Sequence, residues 1–80
     1  MHYVYLLQSA NDNRRRYTGF TRNLRARFAS HNAGQNQSTV QGRPWHLVSY
    51  FAFADDTNAR NFERYLKSGS GKTFAKRHLT

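Results

Sequence analysis

Eighty residues carry thirteen Lys and Arg against four Asp and Glu, a formal charge of +9, and no cysteine. A chain of that length is expected to make one small domain over residues 1–80, near the lower limit of what a single core supports, and without cysteine neither a disulfide nor a thiolate zinc site props it up. No stretch resembles a signal peptide and no apolar run reaches the length of a membrane span, so a cytoplasmic protein without membrane contact is expected.

The basic residues are spread along the whole chain rather than held in a tail. A field of that sign attracts polyanions and favours nucleic acid over a generically basic surface. The aromatic share of 15% suits base stacking, but a core this small needs aromatics too.

"HYVYLLQS" (2–9) reads as a strand, with Tyr3, Tyr5 and Leu7 on one face and Val4 and Leu6 on the other. "ANDN" (10–13) is a turn signal, and "RRYTGF" (15–20) is the returning strand of a hairpin. There Tyr17 and Gly19 share a face, and the glycine leaves room above the sheet for a close approach. Thr21 is the expected N-cap of a helix over "RNLRARFASHNAG". In that helix Leu24 and Phe28 face the core, Arg27 and His31 lie four apart on an adjacent stripe, and Gly34 ends it.

The polar run Gln35 to Gly42 reads as an exposed loop. "PWHLVSYFAFA" (44–54) is apolar on both faces, which predicts a central strand. Asp55 and Asp56 open a second helix whose buried stripe is Ala59, Phe62 and Leu66. Gly69 is expected to end it and Ser70 to cap a short basic helix, "GKTFAKRHL". The order is β-β-α-β-α-α, an α+β domain with helices on a three-stranded antiparallel sheet.

Cutting a phosphodiester with a hard cation requires an anionic oxygen ligand. Asp12 lies in a turn and Asp55 and Asp56 at a helix start, whereas Glu63, the single glutamate, falls at the margin of the buried helix face. A carboxylate there needs a partner, either a metal or a nearby arginine. So few acids allow at most a one-metal site. Tyr5 and Tyr17 project from one sheet face, either as packing or as a reactive pair whose titration nearby cations would lower. Arg27 suits bidentate contact with a phosphate or plain exposure, and His31 suits proton handling or the helix dipole.

Taken together these residues resemble the GIY-YIG nuclease family. "YVY" (3–5) stands where that family has GIY, and "YTG" (17–19) where it has YIG. Leu24, Arg27, His31 and Gly34 follow its helix pattern, Glu63 fills its metal position, and the tail "GSGKTFAKRHL" is similar to that of small stand-alone members. Tyr3 and Thr18 depart from the motifs, and Phe20 stands where some repair members have lysine.

The resemblance implies hydrolysis of DNA phosphodiesters with one divalent cation, Mg²⁺ or Mn²⁺, and no organic cofactor. Glu63 would hold the metal, Arg27 would stabilise charge on the phosphate, and Tyr17 would act as general base assisted by Tyr5. His31 would share that role, or position Tyr5 or the phosphate. Arg22, Arg25, Lys72, Lys76 and Arg77, with Arg14, Arg15 and Arg16, are candidates for backbone contacts, and Phe20 or Trp45 for base stacking. Single-stranded or structured DNA is the favoured substrate, with duplex DNA the open alternative. The competing expectations are a non-catalytic basic nucleic-acid-binding module and a subunit of a larger assembly.

Overall fold

The computed structural model describes residues 1–79. Strand β1 (His2–Ser9) turns back into β2 (Arg16–Thr21). In the turn the Asp12 carboxylate accepts from the Arg14 N–H and its carbonyl from the Arg15 N–H. Helix α1 (Leu24–Asn32), a 3₁₀ turn at Val40–Gly42, strand β3 (Trp45–Phe53) and helices α2 (Asp56–Lys67) and α3 (Gly69–His78) follow. The strands form one antiparallel sheet in the order β2-β1-β3, so the α+β layout matches the periodicities.

The central strand is β1, not β3. Val4 to Leu7 are all buried because helices cover both faces of the sheet. Val4 and Leu6 pack with Ala59, Leu66 and Ala75 of α2 and α3. Tyr5 and Leu7 pack with Trp45 and with Leu24 and Phe28 of α1. β3 is an edge strand that looks two-sided in sequence for a different reason. Leu6 pairs with Ser49 but Leu7 with Leu47, so Val48 is an extra residue that reverses the alternation. Before it Trp45 and Leu47 face α1; after it Phe51 and Phe53 face α2.

Two helix starts also differ from expectation. Thr21 is paired with Tyr3 in the sheet, so the α1 cap falls to Asn23, whose side chain accepts from the Ala26 N–H at 3.1 Å; Thr21 Oγ1 accepts from the Asn23 N–H instead. At the other junction Ser68, in extended conformation, ends α2 and caps α3 through the Gly71 N–H, leaving Gly69 and Ser70 inside α3. Gly34 does terminate α1, at φ +80°, a conformation that glycine adopts without strain. The polar loop is not uniformly exposed, since Thr39 and Gly42 are buried.

Candidate active site

Tyr5 stands at the middle of the sheet, with Gly19 opposite it on β2 and Tyr50 opposite it on β3. Its ring crosses over Gly19 so closely that a Cβ there would lie 2.3 Å from the phenol oxygen. The glycine does open space above the sheet, but the Tyr5 ring fills it, and the expected opening for another molecule at that point is absent. Fully buried, the Tyr5 hydroxyl meets His31 Nε2 at 2.8 Å. The rings of Tyr17 and His31 stand 5.0 Å apart, and those of Tyr5 and Tyr17 6.3 Å.

The hydrogen-bond chain continues inward. His31 Nδ1 meets Thr39 Oγ1 at 2.7 Å, and the Thr39 hydroxyl donates to the Asn36 carbonyl at 3.3 Å. A hydroxyl has one proton, so with that proton on Asn36 the threonine oxygen accepts from His31 Nδ1–H. Nε2 is then the lone-pair nitrogen and accepts from Tyr5. Thr39 is the residue the sequence reading missed. A threonine in a polar run carries no periodic signal, and its contact with His31 arises only because the loop folds back beneath α1.

Electrostatics agree with that proton arrangement. Burial chiefly pushes the Tyr5 phenol up to about 12, with the neighbouring Tyr17 phenol and the Glu63 carboxylate adding to it. Arg27 acts in the opposite direction, as a hydrogen-bond partner and as a positive charge. Burial, then the Arg27 charge, pulls His31 below its usual range, so at neutral pH the imidazole is uncharged. The consequences for stability have opposite signs. Because the folded His31 binds its proton less tightly than the unfolded chain, its contribution is complete above about pH 6.5 and is lost as pH falls below that. Tyr5 contributes fully below about pH 10, and that is lost as pH rises through 12. Urea midpoints should therefore fall on both sides of a plateau, and His31→Gln should flatten the acid side.

Thr39→Val keeps the side-chain shape and removes the acceptor for His31 Nδ1–H. A buried donor left unpaired destabilises by about 1–3 kcal/mol. Urea denaturation of Thr39→Val should show a loss in that range, and Thr39→Ser should restore most of it.

Glu63 projects from α2 with its side chain 22% exposed, its Oε2 2.6 Å from Lys67 Nζ one helical turn on. The ion pair is thus with a lysine of the same helix rather than with an arginine. Lys67 and Tyr17 line one cleft of about 490 Å³, together with Arg14, Arg16, Lys72 and Lys76. Among the described residues no three His, Asp or Glu side chains cluster to cage a metal. One half-buried carboxylate beside a cationic cleft fits a hydrated hard cation such as Mg²⁺, which is commonly held by one or two carboxylates plus water and substrate phosphate. Tyr5, Tyr17 and His31 meet directly, whereas Arg27 lines a groove with Thr21, Asn23, Ser30 and Gln35, and it and Glu63 on α2 bear on the cluster through their influence on the Tyr5 phenol.

The other sequence candidates separate. Lys72 and Lys76 line the Tyr17 cleft, whereas Arg22 and Arg25 line a second groove beside α1, and Arg77 is exposed on α3. Trp45 is no stacking platform: it is 4% exposed, with its Nε1–H donated to the Thr39 carbonyl at 2.8 Å. Phe20 packs toward α2 with the Arg60 guanidinium 4.4 Å over its ring, so its free face is already taken.

The GIY-YIG catalytic domain, as a family, matches residues 1–77. The chain belongs to the GIY-YIG family. Its relatives include UPF0213 proteins of Natronomonas pharaonis, 38% identical over 84% of this chain and 78% of the relative, and of Clostridium perfringens, 37% identical over 84% and 71%. The solution NMR structure of a UPF0213 protein from Bacillus halodurans superposes with a TM-score of 0.57 at 30% identity, covering 95% of this chain and 82% of that one. GIY-YIG proteins are nucleases that act on nucleic acid and generally use a divalent metal. No helix among the described residues is long and apolar enough to cross a membrane.

Proposed function

We propose that this protein is a divalent-metal-dependent endonuclease that hydrolyses phosphodiester bonds in single-stranded or structured DNA. The observation that carries the proposal is the surroundings of Tyr5. One buried phenol bonds His31, stands beside Tyr17, and feels the charges of both Arg27 and Glu63.

The roles divide according to access. Tyr5 and His31 are fully buried, both His31 nitrogens are engaged, and Tyr5 holds its proton at neutral pH. These two position the site. Tyr17 is partly exposed and faces the cationic cleft, so it is the phenol a bound strand and its attacking water can reach. Tyr17, as general base, takes a proton from the water; the water oxygen bonds to phosphorus, the bond to the 3′ oxygen breaks, and that oxygen is protonated by solvent. Arg27 binds a non-bridging oxygen as charge gathers there. Glu63 would hold the cation, which when bound neutralises charge on the phosphate and the leaving oxygen. The cleft is lined by Arg14, Arg16, Lys67, Lys72 and Lys76, a row of cations suited to the sugar-phosphate backbone of a bound strand.

The Lys67–Glu63 pair favours the second reading, a non-catalytic binding module, because it already occupies the acid. An i,i+4 pair of this kind contributes only about 0.3–0.5 kcal/mol, so it leaves the Glu63 carboxylate available to a divalent cation. The test is cleavage of labelled single-stranded, duplex and branched DNA with Mg²⁺, with Mn²⁺ and with chelator. Single-stranded and branched forms should be cut, chelator should stop it, and Tyr17→Phe should slow it by roughly 10²–10⁴-fold. Native protein that cuts no form with either metal would leave the binding module.

A further inference from the structure

The sheet face that carries Tyr5 continues into the second groove, of about 500 Å³, lined by Tyr3, Tyr50, Arg22, Arg25, Phe28 and Leu47. Tyr3 and Tyr50 meet edge to face, with ring centroids 6.3 Å apart and planes at 60°. Tyr50 is 55% exposed, so one face of its ring is open to a ligand. None of the four acids is bound to Arg22 or Arg25: Asp12 pairs with Arg14, Asp56 with Arg60 and Glu63 with Lys67, and Asp55 caps α2. The groove thus combines an open aromatic surface with two positive charges that no carboxylate of the described chain offsets.

Position links it to the candidate active site. Tyr50 is the register partner of Tyr5 on β3, and Tyr3 precedes Tyr5 by two residues on the same face of β1, about 7 Å along the strand. That is close to the reach of one extended nucleotide. Tyr3 also stands where the GIY motif has glycine, so the aromatic pair is not something the motif itself requires.

We propose that this groove is a subsite for one unpaired nucleobase of the strand bound at the active site. The base stacks on Tyr50 with its edge toward Tyr3, and Arg22 and Arg25 contact the flanking phosphates. A base inside a duplex presents no free face and cannot enter. The inference rests on the nucleic-acid reading but not on catalysis.

The test is fluorescence anisotropy in chelator, where no cleavage occurs, using a labelled single-stranded oligonucleotide and the same sequence as a blunt duplex. Tyr50→Ala should weaken single-strand binding by about 5- to 150-fold and leave duplex binding within about twofold. Tyr50→Phe, which keeps the ring, should bind both forms like the native protein. Equal loss on both forms, or no loss on the single strand, would overturn the subsite. So would sedimentation showing that Tyr50→Ala converts a native dimer to monomer, since a second copy would then be what covers the face. Native protein that binds neither form would instead remove the nucleic-acid reading beneath it, and absence of cleavage alone would leave the subsite standing.

Discussion

Glu63→Gln should abolish cleavage, by roughly 10³-fold or more, while nucleic-acid binding stays close to native. The substitution is isosteric, so the side-chain volume beside Ala59 and Leu66, its i−4 and i+3 neighbours on α2, is kept and only the negative charge goes. No other carboxylate can take its place, because Asp12 is bound in the hairpin turn, Asp55 holds the first N–H groups of α2 and Asp56 pairs with Arg60. Binding should hold or rise slightly, since Lys67 is released into the Tyr17 cleft as an unpaired cation. An internal control comes from Tyr5. The Glu63 charge contributes to raising that phenol, so its phenolate absorbance should appear at lower pH in the variant. A variant that loses binding and cleavage together, or that melts well below the native protein, would mean that Glu63 supports the fold rather than the chemistry.

The parts of this molecule that were legible in sequence are those governed by local pattern. The β1 bounds follow from alternation, α2 from its Ala59, Phe62 and Leu66 stripe beneath an Asp55 cap, and the stop of α1 from Gly34. Where a longer-range contact decides, pattern misleads. β3 carries apolar residues at both parities because Val48 is bulged out, and no composition rule separates that from a strand buried on both sides. Thr21 has the chemistry of a helix cap, but pairing with Tyr3 holds its backbone in the sheet and moves the cap to Asn23. Trp45 has the chemistry of a stacking platform, yet its indole N–H is needed by the carbonyl of Thr39, and burial follows. Of the candidate site, the residue types were readable and the proton arrangement was not. That arrangement depends on Thr39 reaching His31 across eight residues, a contact set by how the loop folds.

Gly19→Ala should damage fold and activity together, and the reason is a steric contact rather than backbone conformation. Gly19 is not among the positive-φ glycines, so alanine meets no backbone strain there. What it meets is Tyr5, with the new Cβ 2.3 Å from the phenol oxygen, 2.4 Å from Cζ and 2.8 Å from Cε1. The ring cannot swing aside cheaply, because it is fully buried against Tyr17 and His31 and bonded to His31 Nε2. Overpacking of this kind destabilises by about 1–3 kcal/mol, and parting Tyr5 from His31 adds roughly another 1–3 kcal/mol for the unsatisfied nitrogen. In a domain of this size each kcal/mol shifts the melting temperature by about 4–8 °C, so the variant should melt at least 10 °C or so below native. Removing the ring identifies the cause. Tyr5→Leu alone loses the hydrogen bond and some packing, but in its presence Gly19→Ala has nothing to strike and should be nearly silent in stability. Cleavage should remain lost in the double variant, because the site then lacks the phenol that orients His31. If the two melting shifts simply add, the contact between Gly19 and the Tyr5 ring is not what makes glycine necessary there.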